Sequence, residues 1–122
     1  MRDLIYNVVK DFYKKAMADV MIGYHFYKFE NPIVLEAHLV RLTSFWEMQL
    51  TGKTSELIQG PPFHLLFTHL QLRLKRGELG RWIILFHQTL DAMTDDELSE
   101  VWKERISFFE ERFNSHPQMY NQ

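Results

Sequence analysis

Two histidines in apolar surroundings are the residues of this chain best suited to hold a cofactor. His38 shares one face of a predicted helix with the large apolar residues at positions 35, 39, 42, 45, 46 and 50. His69 follows the Pro61-Pro62 pair and precedes Leu70 in an equally apolar segment. Imidazole is the commonest protein ligand for metals. Two imidazoles facing one apolar interior therefore suggest a metal cofactor between them.

A hydrogen-bonded core position is the alternative reading of either histidine, and the sequence leaves it open. Tyr13 and Trp82 are also predicted to face inward from their helices, where the hydroxyl and the indole N–H need buried partners. Each of them alone would be an ordinary core residue. If they converge with a histidine on one pocket, they form a donor cluster that can stabilise a polar diatomic ligand.

Helical periodicity runs through the whole chain and predicts an all-α fold. The first helix is predicted from Leu4 to Val20 and is broken by Gly23, after which an aromatic connector follows. Asn31 is predicted to cap the next helix, which has Pro32 in its first turn, runs to about Leu50 and is closed by Gly52.

The second half of the chain is predicted to hold three more helices. A short one, from Phe63 to about Leu72, carries His69, and the next spans the apolar positions from Leu79 to Met93. Thr94 and Glu97 are predicted to form a capping box for the last helix, which ends near residue 114.

Chain length and composition limit the number of domains and the classes of partner and ligand that we expect. The chain has 122 residues, which predicts a single domain over residues 1–122. A net charge of -2 disfavours nucleic-acid and membrane partners, and the absence of cysteine excludes thiolate ligands and fits a cytoplasmic protein. Aromatic residues make up 15% of the chain, which fits either an aromatic core or a large flat ligand.

The order of these features resembles the truncated haemoglobins, specifically group III, over about residues 5 to 113. The matching sequence segments come in a specific order along the chain. They are Phe12-Tyr13-Lys14-Lys15, Gly23-Tyr24-His25-Phe26, His38 with Phe45-Trp46, His69, and Arg81-Trp82-Ile83-Ile84-Leu85-Phe86.

The resemblance implies a compact globin-like fold around haem b (iron protoporphyrin IX). His69 would be the proximal iron ligand, with His64 as the alternative ligand. Residues expected to contact the haem are Phe26, Arg41 through a propionate, Leu42 and Leu79. Arg41 has the alternative of being a solvated surface residue.

On the distal side the resemblance implies Tyr13, His38 and Trp82, which would bind dioxygen or nitric oxide. His38 would act as a mobile gate or third donor, or as a direct iron ligand. A sensing, redox or detoxifying role is expected rather than oxygen delivery. Nitric oxide dioxygenase or peroxidase-like activity would need a separate reductase. A cofactor-free helical interaction module is the rival from another class, and His25, His87 and His116 are predicted to be structural.

Overall fold

The computed structural model describes residues 1–52, 74–75 and 77–115, and the regular elements in these residues are helices. The all-α prediction is confirmed for this part of the chain. The helices are α1 (Arg2–Ala18), a 3-10 helix (Gly23–Glu30), α2 (Pro32–Thr51), α3 (Glu78–Met93) and α4 (Asp96–Ser115). The chain divides into two compact units, Met1–Phe63 and His64–Gln122.

The first unit is built on the apolar stripe of α1. Its buried residues recur three and four positions apart, as a helix with one face in a core requires. They are Ile5, Val8, Val9, Phe12, Tyr13 and Ala16. Two polar contacts join α1 to α2 at the edge of this core: the Tyr6 hydroxyl donates to the Glu36 carboxylate at 2.7 Å, and Arg2 pairs with Glu47 at 3.2 Å.

Both predicted ends of α2 are confirmed. The Asn31 side chain accepts a hydrogen bond from the backbone N–H of Ile33 at 3.0 Å, and Pro32 occupies the first helical position, where no N–H is needed. Gly52 ends the helix with φ of 75°, a left-handed conformation that favours glycine. α2 therefore presents a fixed set of side chains to α1.

The aromatic connector is a helix of its own, which the sequence reading did not predict. Gly23–Glu30 forms a 3-10 helix, in which residues three apart lie on the same side. Phe26 and Phe29 are accordingly its two buried residues, while Tyr24 and Tyr27 are exposed. The connector thus adds two aromatic rings to the core between α1 and α2.

The second unit pairs α3 with α4. Trp102 is fully buried and its ring lies 5.6 Å from that of Phe86. The predicted capping box was wrong: Asp95 caps α4 by accepting from the N–H of Leu98 at 2.8 Å, and the Thr94 hydroxyl donates back to the carbonyl of Leu90 at 2.7 Å. None of the helices that the structure describes has the length and apolarity needed to cross a bilayer.

Candidate functional site

The candidate site lies in the first unit, around the hydroxyl of Tyr13. Tyr13 sits on the inward face of α1 and is 7% exposed. The adjacent Phe12 packs its ring edge to face against Tyr13, with centroids 5.5 Å apart. The phenol oxygen is thus placed in a largely apolar interior, where a polar group needs a partner.

His38 supplies that partner. The Tyr13 Oη and His38 Nε2 atoms are 2.6 Å apart, and the bond connects α1 to α2. The direction of the bond depends on the imidazole tautomer: a bare Nε2 accepts the phenol hydrogen, and an Nε2–H donates to the phenol oxygen. Tyr13 faces inward from α1, as the sequence predicts, and the structure brings it together with His38.

Two phenylalanines from the 3-10 helix wall the pair. Phe26 and Phe29 both meet the Tyr13 ring edge to face, with centroids at 5.3 Å and 5.6 Å. Phe29 also stacks on the His38 imidazole, with centroids 4.5 Å apart and ring planes within 25°. The pair is therefore held by one hydrogen bond and by three aromatic contacts from these two phenylalanines, in an arrangement that aromatic quadrupoles favour.

Burial sets the protonation of Tyr13. Removing the phenol from water raises the pKa of Tyr13 well above its ordinary value, because the phenolate would lose its hydration. Tyr13 is consequently a neutral hydrogen-bond donor throughout the physiological pH range. The Lys28 Nζ atom lies 5.2 Å from the Phe29 centroid.

The other residues predicted for the site fall in different places. Leu42 is buried on α2, one turn after His38, and Arg41 is exposed on the same helix. Leu79 and Trp82 are buried on α3, within the second unit. His69 lies outside the described residues.

The alternative ligand His64, the predicted short helix over residues 63–72 and His116 lie outside them too. Within residues 1–52 and the described part of the second unit, no group of three or more His, Asp or Glu side chains is arranged to hold a metal ion. A haem iron held by one protein imidazole does not require such a group.

Phe29, which contacts both Tyr13 and His38, was not among the site residues predicted from the sequence. The sequence predicts only an aromatic connector here, and that prediction does not assign its side chains to faces. The signal is the spacing of three between Phe26 and Phe29, which places both rings on one side of a 3-10 helix. If Phe26 is buried, a spacing of three in a 3-10 helix predicts that Phe29 is buried in the same core.

A second polar cluster joins α3 and α4. Asp91 accepts from Lys103 Nζ at 2.5 Å and from the Ser99 hydroxyl at 3.5 Å. The neighbouring His87 has a lowered pKa, because burial and then the charge of Lys103 disfavour the imidazolium, while Asp91 and Glu110 oppose the shift. Its Nε2 atom is buried and makes no hydrogen bond within the described residues. The structural role expected for His87 stays a prediction.

No match to this chain was found among protein families, curated proteins or solved structures.

Proposed function

We propose that the protein is a haem globin that binds dioxygen and other diatomic molecules such as nitric oxide. The observation that carries the proposal is the hydrogen bond between Tyr13 and His38 within a cluster of aromatic rings. A protonated phenol beside an imidazole, both enclosed by rings, is a donor set suited to a small polar ligand. The resemblance of the sequence segments to those of group III truncated haemoglobins supports haem as the cofactor that binds this ligand.

The residues of the site fit a haem by their chemistry. Phe26 and Leu42 are buried apolar residues of the first unit that can pack against a macrocycle, and Arg41 is exposed, as a partner for a solvent-facing propionate must be. In this proposal His69 would hold the haem iron, and Leu79 would be a further packing residue. When bound, haem b supplies the iron to which a diatomic molecule attaches.

Tyr13 is the principal donor in this proposal. Its phenol has a single hydrogen, which can go to a bare His38 Nε2 or to a diatomic ligand, but not to both. When His38 carries its hydrogen on Nε2, the imidazole donates to Tyr13, and the phenol hydrogen is available to the ligand. The proton position on His38 therefore decides where Tyr13 donates.

His38 is assigned as the gate. Its ring is partly exposed while its Nε2 reaches the buried phenol, so the imidazole can move between solvent and the Tyr13 hydroxyl.

Trp82 is assigned as a second donor. With two donors engaged, ligand release is slow, which suits sensing, redox chemistry or detoxification better than oxygen delivery. Nitric oxide dioxygenase or peroxidase-like turnover would draw its electrons from a separate reductase.

Substitution of Tyr13 by Phe tests this function. The change removes the hydroxyl and keeps the ring contacts, and loss of a donor bond to a charged acceptor contributes about 1.5 to 3 kcal/mol. We expect the dioxygen dissociation rate to rise at least about tenfold in stopped-flow measurements. Tyr27→Phe is the matched control, because Tyr27 is 76% exposed on the same unit. A dissociation rate that is the same in the Tyr13 variant and in the control removes Tyr13 from the donor role.

A cofactor-free interaction module is a second candidate function, and one observation favours it. Several large apolar side chains of the first unit are exposed around the 3-10 helix and the start of α2. They are Val20, Met21, Tyr24, Tyr27, Ile33 and Val34. A protein that stays colourless after addition of haemin would favour this function over the haem globin.

A further inference from the structure

Phe29 contacts both members of the hydrogen-bonded pair. It is 6% exposed, stacks on His38 and meets Tyr13 edge to face. Phe26 meets Tyr13 edge to face and lies 6.3 Å from the Phe29 ring. Phe29 is thus placed to restrain the imidazole directly, which gives it a role different from that of a general core residue.

Stacking restricts the rotation of the imidazole plane on which the hydrogen bond depends. The Nε2 lone pair lies in the plane of the imidazole, so a hydrogen bond to Tyr13 requires that plane to be oriented toward the phenol oxygen. Rotation about the terminal torsion of a histidine is soft, because its minima are broad. A flat ring 4.5 Å away and within 25° of parallel restricts that rotation. The contact holds the His38 plane in the orientation seen in the 2.6 Å bond.

We infer that Phe29 is a positioning residue that keeps His38 against Tyr13 and so sets how often the histidine gate opens. The inference rests on the proposed function for its effect on ligands, because opening of the gate has meaning only where a ligand enters. Its effect on the imidazole itself requires no cofactor. The two parts are therefore measured separately.

The first measurement is nitrogen NMR of the His38 imidazole in the purified full-length protein. Wild type should show Nε2 engaged in a hydrogen bond, with one tautomer dominant. Phe29→Leu should shift the imidazole toward the averaged tautomers of a solvated histidine. Phe29→Tyr keeps a flat ring and should restore the wild-type signal. Tyr27→Leu is the control, because it removes an exposed aromatic ring from the same 3-10 helix.

The second measurement is carbon monoxide association after flash photolysis of the ferrous haem form. Loss of an aromatic stacking contact should raise the open population of the gate, and with it the association rate, about two- to tenfold in Phe29→Leu. Phe29→Tyr and Tyr27→Leu should bind carbon monoxide at the wild-type rate. Circular dichroism confirms that each variant is folded at the temperature used.

The outcomes separate the two claims. A His38 spectrum that does not change in Phe29→Leu overturns the positioning role. A changed spectrum with an unchanged association rate overturns control of the gate. If the protein binds no haem, the proposed function fails, and the NMR comparison still decides whether Phe29 positions His38.

Discussion

Gly23 allows the 3-10 helix to approach the end of α1, and its replacement by Ala should destabilise the protein. A Cβ at this position would lie 2.8 Å from the carbonyl oxygen of Met17 and 3.4 Å from its carbonyl carbon. Both are backbone atoms, so they cannot move aside as the end of a flexible side chain would. Gly23→Ala therefore forces α1 and the 3-10 helix apart, and with them the rings of Phe26 and Phe29.

The expected change in the free energy of unfolding of Gly23→Ala is the difference between two opposing effects. Overpacking in a tight contact costs about 1 to 3 kcal/mol. Ala also restricts the unfolded chain, which offsets about 0.4 to 1 kcal/mol of that cost. We expect a net loss of about 1 to 2 kcal/mol in the free energy of unfolding. For a chain of this length the melting temperature should fall by about 4 to 8 °C.

Gly80 provides the matched control. It lies within α3, and a Cβ built there meets nothing within 4 Å. Gly80→Ala should stabilise the protein by about 0.4 to 1 kcal/mol, because Ala restricts the unfolded chain and no contact in the folded state opposes the change. Thermal unfolding followed by circular dichroism, with urea unfolding as a second method, compares the two variants. Equal stability of Gly23→Ala and wild type would refute the close contact between α1 and the 3-10 helix.

Two further predictions concern histidines. His69→Ala should abolish stable haem binding while His64→Ala retains it, as measured by the absorbance of the purified variants, and the reverse result would make His64 the ligand. Because the pKa of His87 is lowered in the folded state, the unfolded protein binds the additional proton. Stability from this residue is therefore present above about pH 6.5 and is lost as the pH falls below it. Urea unfolding from neutral to mildly acidic pH should show a smaller loss of stability in His87→Gln than in wild type. Equal losses in both proteins would contradict the lowered pKa of His87 in the folded state.

The helices whose ends carry strong local signals were predictable from the sequence. The stripe of α1 placed Tyr13 inward, and Asn31, Pro32 and Gly52 marked the ends of α2 correctly. Local rules are sufficient in these cases because each residue satisfies a backbone or packing requirement of its own helix. The inward side of α2 likewise carries His38.

Other features depend on choices that local rules do not resolve. Thr94 and Asp95 are adjacent and both are good cap residues, so the capping pattern could not assign the start of α4 to within one residue. The Thr94 hydroxyl bonds the Leu90 carbonyl instead, which leaves the cap to Asp95. The role of Phe29 depends on the 3-10 geometry of a segment too short for its periodicity to be distinctive. The Tyr13–His38 bond itself joins residues 25 positions apart, and its partners can be paired only once α1 and α2 are packed together.

The absorption spectrum of the purified protein tests the central claim most directly. We expect a Soret band, a pyridine haemochrome characteristic of haem b, and a ferrous spectrum dominated by high-spin iron, because His69 is the single protein ligand in the proposal. A colourless protein that takes up no added haemin would contradict the haem-globin account. A ferrous spectrum dominated by low-spin iron would contradict the assignment of His38 as a gate.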